Sequence, residues 1–157
     1  IGGLSVGETR AEMLLALAAA LAELPADQPR YLMGVGDPAS MIEAIALGVD
    51  QFDCVLQTRL GRHGTALIGT GRLNVKRAEF AESDEPLDPS CDCTVCGRHT
   101  RGYLRHLFQV AEPTAARLVS LHNLAWTLTL MQRARSAILA GTFTDFRREV
   151  LDVWAVA

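Results

Sequence analysis

The sequence lacks any long hydrophobic run. The longest, Met13 to Ala22, stops at Glu23 and falls short of the roughly 20 residues a membrane span needs. A basic stretch followed by an apolar one and a small-residue cleavage site is missing from the start, so nothing points to secretion, and a cytoplasmic location is expected. The first residue is Ile1, not Met, which leads us to expect processing or a piece of something longer. Internal repeats are absent. Lysine is nearly absent too: Lys76 stands against fourteen arginines. Arginine is the better residue for planar, bidentate contact with phosphates or bases. Only 6% of residues are aromatic, but 49% are hydrophobic and 21% charged over 157 residues. That balance excludes disorder and fibrous repeats and suits a globular chain with a core.

The net charge of -3 argues against a bulk polyanion binder, yet the charges are segregated. Gln57 to Ala78 holds Arg59, Arg62, Arg72, Lys76 and Arg77 and no acid. Glu79 to Asp92 holds six acids and no cation. Arg98, Arg101 and Arg105 follow.

Apolar spacing predicts a helix over 7–24, in which Met13, Leu14, Leu17, Leu21 and Leu24 follow helical spacing around an alanine-rich body. Arg30 to Val35 reads as a strand and 39–47 as a helix with Asp37 as N-cap. Gln51 to Leu56 reads as the next strand. Strand, helix and strand at this spacing form a βα unit of a parallel sheet. Thr58 to Val75, with four glycines, reads as hairpin-like strands and loops. Residues 81–90 read as loop, 103–110 as a short helix, 113–140 as a long helix and 143–154 as a last one.

Three of the four cysteines lie in Cys91-x-Cys93-x-x-Cys96. Such clustering, without signs of secretion, favours a metal over disulfides. Tetrahedral zinc takes four ligands, commonly three cysteines and a histidine. His99, three residues on, makes a compact knuckle. His122, on the long helix, would staple that helix to the cysteine loop. Spacing leaves the two open. Four protein ligands make a closed, structural site.

Asp53 sits between Phe52 and Cys54 in an apolar strand, where a buried carboxylate is costly unless paired or employed. The end of a parallel strand is the usual active-site side of an α/β fold. A cap for local backbone amides is the competing reading. Arg59 and Arg62 follow closely and are expected at the same mouth. Gly34-Val35-Gly36 is half a phosphate loop, a weak motif alone.

The segments GGLSVGE (2–8), YLMGVGDP (31–38), GVDQFDCVLQTRLGRHG (48–64), PLDPSCDCTVCGRHTRGYLRHLF (86–108) and LHNL (121–124) together resemble the bacterial tRNA-guanine transglycosylases, the queuine tRNA-ribosyltransferase family. The resemblance covers essentially the whole chain. It implies an α/β fold, the C-terminal part of a (β/α)8 TIM barrel with a zinc-binding insertion. On that template residues 1–56 are the last barrel strands and helices, 57–112 the RNA-facing loop and zinc subdomain, and 113–157 the closing helices.

It also implies exchange of the wobble guanine of tRNA for a 7-deazaguanine base, with Asp53 as the nucleophile. Gly2, Gly3, Leu4, Glu8 and Met33 match base-binding positions. Gly34, Val35, Gly36, Asp37, Pro38, Ala39, Ser40, Thr58, Arg59, Leu60, Gly61 and Arg62 match RNA-contacting ones. Cys91, Cys93, Cys96 and His122 match the ligands of one structural zinc. A homodimer is implied, and no membrane. Gln57 and His63 depart from the family's usual proline and asparagine. The family's second, proton-handling aspartate falls upstream of Ile1, so the chain is expected to be an inactive fragment on its own. The alternative is a non-catalytic, tRNA-binding paralogue subunit.

Overall fold

A computed structural model describes residues 1–4 and 6–155. Ser5 of the GGLSVGE segment, and Val156 and Ala157 of the expected closing segment, lie outside the described residues. The chain divides into two compact units, Ile1–Val55 with Ala137–Ala157, and Leu56–Ser136.

The first unit is α/β. Helix α1 (Arg10–Ala22) starts later than its apolar spacing suggests because Thr9 is its N-cap. The Thr9 hydroxyl and Glu12 carboxylate satisfy each other's backbone donors in a capping box, which removes orphan N–H groups worth about 1 kcal/mol. Met13, Leu17 and Leu21 bury its inner face. Past its end, the Arg30 guanidinium donates to the carbonyls of Leu21, Leu24 and Pro25, a cation where the helix dipole is negative.

Strands β1 (Tyr31–Leu32) and β2 (Gln51–Phe52) pair in parallel, Tyr31 opposite Gln51 and Leu32 opposite Phe52. On the other edge of β1, the Ile1 nitrogen donates to the Tyr31 carbonyl at 2.6 Å and the Met33 amide donates to the Ile1 carbonyl at 2.9 Å. Both strands are shorter than their apolar runs. Beyond Met33, Gly34 turns the chain with φ +76°, which removes its amide from the ladder. Beyond Phe52 the chain leaves the sheet, and Leu56 opens a helix.

Helix α2 (Pro38–Ala46) has the expected Asp37 N-cap, which accepts from the Ser40 amide at 3.0 Å, and Pro38 in its first turn. It packs on α1 and on α6 (Phe143–Trp154). Arg147 of α6 pairs with Glu43 of α2 at 2.6 Å.

The second unit carries a correction. Residues 58–62 are helix, not loop: α3 spans Leu56–Arg62. Its glycine is a packing device. A Cβ on Gly61 would lie 2.5 Å from the Ser120 Oγ and 2.6 Å from the Ser120 nitrogen, so only glycine lets α3 approach α5 (Pro113–Leu139) this closely. The expected hairpin follows as β3 (Thr65–Ile68) and β4 (Gly71–Asn74), paired antiparallel. Helix α4 (Arg101–Gln109) is capped by Thr100. The core joins Ala66, Val75, Leu87, Val95, Leu104 and Val119. Each fully buried leucine among them contributes about 2 kcal/mol.

Candidate active site and metal centre

In the first unit, Asp53 is the residue after β2. It was expected inside the strand and buried, but it is exposed, because the ladder ends at Phe52. Parallel pairing places the Tyr31 ring two positions behind it on the neighbouring strand. The Tyr31 hydroxyl donates to Asp53 Oδ1 at 2.5 Å, and the Gly34 amide donates to the same oxygen at 3.1 Å. The Tyr31 hydrogen bond, then the Gly34 amide, hold the carboxyl below the usual aspartate range. The phenol is pushed up by the same contact. Asp53 is therefore an ionised carboxylate that is solvent-facing and held by one oxygen.

Cys54 beside it is half-buried, its thiol 3.5 Å from the Gly34 carbonyl. Met33 stands 49% exposed, and a Cβ on Gly2 would meet its sulfur at 3.4 Å. Gly2 and Gly3 are exposed, Leu4 half-buried, and Gly3 adopts φ +82°. The Glu8 carboxylate accepts from the Val6 amide at 2.8 Å, which fixes the turn between them.

The segment 34–40 is mostly interior. Val35, Gly36, Pro38, Ala39 and Ser40 are buried, Asp37 is half-buried, and Gly34 is exposed. Asp37 also lies 3.6 Å from the Arg10 guanidinium. Its first duty is to begin α2.

In the second unit, Arg59 and Arg62 are exposed, Thr58 and Leu60 half-buried, and Gly61 buried. Arg59 and Arg62 are three residues apart on a helix and so share a face.

The metal centre lies in the same unit. The Sγ atoms of Cys91, Cys93 and Cys96 lie 3.8, 3.5 and 3.3 Å from the Nδ1 of His122. All four ligand atoms fall within 4.8 Å of one another. Tetrahedral zinc, with bonds of about 2.3 Å to sulfur and 2.0–2.1 Å to nitrogen, requires sulfur–nitrogen edges of roughly 3.5 Å. The donor set and its spacing fit such an ion, and the four residues are positioned to bind one.

The histidine left open by spacing is thereby decided. His122 converges on the thiols, while His99 stacks on Tyr103 with ring centroids 5.3 Å apart. The Nε2 of His122 lies 2.8 Å from the Leu67 carbonyl, which fixes the ring with Nδ1 toward the sulfurs, as a ligating histidine requires. Burial first of all pushes its pKa down, so it stays neutral and able to ligate. Burial also raises the Cys91 thiol and pushes the Cys96 thiol up to about 12. A cation that accepts thiolates relieves that penalty.

Three supporting residues were missed. Tyr31 lies inside a quoted motif, but its role follows only from the strand pairing. Asn123, wholly buried, donates to the carbonyls of Gln57 and Thr65 at 3.0 Å each and accepts from the Leu67 amide at 2.8 Å. It clamps α5 to β3 beside the metal ligand. Asp88 accepts from Gly69, the Ser90 amide and the Ser90 hydroxyl at 2.7, 2.9 and 2.6 Å. Burial pushes its pKa up, but those hydrogen bonds outweigh it and the group is net lowered. Both lie in segments that carry the family resemblance, next to His122 and to the cysteines, but their hydrogen bonds follow only from the fold.

A strand-end carboxylate on a parallel α/β unit, with three cysteines and a histidine positioned to bind a metal ion in the companion unit, defines an α/β protein with a candidate metal centre. Among the described residues, no helix is long and apolar enough to cross a membrane. The sequence profile described as queuine tRNA-ribosyltransferase matches residues 1–155. Proteins named queuine tRNA-ribosyltransferase are similar along nearly the whole chain. That of Nitratidesulfovibrio vulgaris is 55% identical over 94% of this chain and 40% of its own length. That of Solidesulfovibrio magneticus is 51% identical over 96% and 40%, and that of Herpetosiphon aurantiacus 49% identical over 98% and 38%. The chain belongs to the queuine tRNA-ribosyltransferase family. It spans about two fifths of the length of these relatives.

Proposed function

We propose that this chain is the C-terminal part of a (β/α)8 barrel enzyme, a tRNA-guanine transglycosylase of queuosine biosynthesis. The family membership supports it, and the coverage of two fifths of the relatives supports a partial barrel. Parallel β1 and β2, with Ile1 bonded alongside β1, suit consecutive barrel strands. The domain divisions are those of the template: barrel to residue 56, RNA-facing and zinc segment to 112, closing helices to 157.

The observation that carries the reading is Asp53, an exposed, ionised carboxylate at a strand end. It attacks the anomeric carbon of the wobble guanosine, as the carboxylate of a retaining glycosidase attacks its sugar. The C1′–N9 bond breaks, guanine leaves with the electron pair, and an acid upstream of this chain protonates it. The 7-deazaguanine base then displaces the carboxylate. The target base must leave its stack to be reached. Gly2, Gly3, Leu4, Glu8 and Met33 form one wall of its pocket, Met33 packing on the ring. Arg59 and Arg62, with Thr58, Leu60, Gly61 and the 34–40 segment, meet the neighbouring nucleotides. Cys91, Cys93, Cys96 and His122 hold one structural zinc. When bound, that ion fixes the loop to α5 and takes no part in the reaction. The assembly is a cytoplasmic homodimer.

The test uses the full-length protein and tRNA. A denaturant-stable protein–tRNA adduct is expected, and it disappears in Asp53→Asn. A wild-type protein that binds tRNA but forms no adduct overturns the reading in favour of a non-catalytic subunit. Robust incorporation of radiolabelled guanine by the 157-residue chain alone overturns the fragment reading.

A further inference from the structure

We infer that Tyr31 is a positioning residue for the covalent step: with the Gly34 amide it holds Oδ1 of Asp53, so that Oδ2 is the attacking oxygen. The inference rests on Asp53 being the nucleophile, as proposed above. Two neighbouring groups donate to Oδ1, at 2.5 Å from Tyr31 and 3.1 Å from Gly34. An oxygen with two donors in place has its lone pairs engaged. Its attack on a sugar carbon would have to break one of these contacts. Attack through Oδ2 breaks neither.

Oδ2 forms a bond to C1′ while C1′–N9 breaks and the electron pair leaves with guanine. The carboxylate becomes an ester whose carbonyl oxygen is Oδ1. A carbonyl oxygen still accepts hydrogen bonds, so Tyr31 and Gly34 stay engaged through the intermediate. In the second half, N9 of the incoming base bonds to C1′ and gives up its proton to solvent. The C1′–Oδ2 bond breaks, and its electron pair returns to the carboxylate. Donors on Oδ1 stabilise the returning negative charge. They make Asp53 a weaker nucleophile but a better leaving group. A tyrosine here therefore favours release of the modified tRNA over its capture.

The ring is partly exposed, at 38%, so Tyr31→Phe deletes the hydroxyl with little disturbance of packing. The test follows the full-length protein by rapid quench, first loading the adduct with tRNA and then adding guanine. In Tyr31→Phe the adduct is expected to decay about tenfold more slowly, the size of a lost hydrogen bond to a charged group. The adduct fraction at steady state rises, kcat falls, and KM for tRNA is unchanged. Tyr31→His, which keeps a donor, recovers part of the rate. Unchanged adduct decay in Tyr31→Phe, or a change confined to KM, overturns the inference while the Asp53-dependent adduct stands. If wild type forms no adduct, the function reading falls first.

Discussion

The two units hold their key groups in opposite ways. Asp53 is exposed, and one phenol and one neighbouring amide donate to one of its carboxylate oxygens. His122 is wholly buried, with one ring nitrogen on a backbone carbonyl and the other on three sulfurs. In the proposed reaction a nucleophile must stay reachable, and the two donors from Tyr31 and Gly34 both fall on Oδ1. A structural zinc site takes four protein ligands and keeps no open position, and Cys91, Cys93, Cys96 and His122 supply four. Hydrogen bonds to an exposed group add little to stability, whereas a metal bound by four protein ligands adds a great deal. Four experiments bear on that contrast, and the two tryptophans make them separable: Trp126 lies in the second unit and Trp154 in the first. Variants retaining one tryptophan report each unit's melting separately.

Metal removal has the largest expected effect. Structural zinc contributes on the order of 10 kcal/mol to small zinc-dependent folds. A strong chelator, or Cys96→Ser, is expected to abolish the cooperative transition seen by Trp126 and to leave more of that seen by Trp154. Release of one zinc per chain, measured by atomic absorption, accompanies it. Equal loss of both transitions breaks the contrast, because the two units then unfold as one.

Next comes Asn123→Ala. It strands the Leu67 amide and removes a donor from the Gln57 and Thr65 carbonyls. An unsatisfied buried group costs about 1–3 kcal/mol. A loss of about 3 kcal/mol is expected in denaturant unfolding read by Trp126. A change under about 1 kcal/mol would mean that water replaces the side chain and the clamp is looser than its distances imply. Smaller again is Thr9→Ala in the first unit, expected to cost about 1 kcal/mol through the lost cap. It should move the Trp154 transition and not the Trp126 one.

The sequence was most legible where local chemistry decides. Asp37 with Pro38 marks a helix start through its own backbone, and three clustered cysteines imply a metal whatever the fold. It was least legible where distant groups decide. Gly61 reads as a loop residue until Ser120, fifty-nine positions on, is seen against it. His99 and His122 differ only in which one the long helix brings to the thiols. The strand over 30–35 shortens because Gly34 spends its amide on Asp53 instead of the ladder. Asp53 looked buried because its neighbours are apolar, yet a strand end exposes what the strand interior would hide.

The smallest effect is the one that speaks most directly to the exposed half of the contrast. The hydrogen bond from Tyr31, and after it the Gly34 amide, lower the Asp53 pKa below the ordinary aspartate range. A carboxyl depressed in the folded state stabilises the fold above its unfolded pKa of about 3.9, and that contribution is lost as the pH falls through the folded value. The window thus lies below about pH 4, and neutral conditions leave the group charged. Because Asp53 is fully exposed, the change belongs in a titration and not in a melting curve. Carbon NMR of the labelled carboxyl should give a midpoint below that of a free aspartate. Tyr31→Phe should raise it toward the ordinary value, and the wild-type phenol should ionise above the usual tyrosine range. A wild-type midpoint already at the ordinary value would mean that the hydroxyl does not hold Oδ1 in solution. Asp53 would then be exposed and also unrestrained, and the opposition between a held carboxylate and a closed cysteine–histidine cluster would reduce to a difference in burial alone.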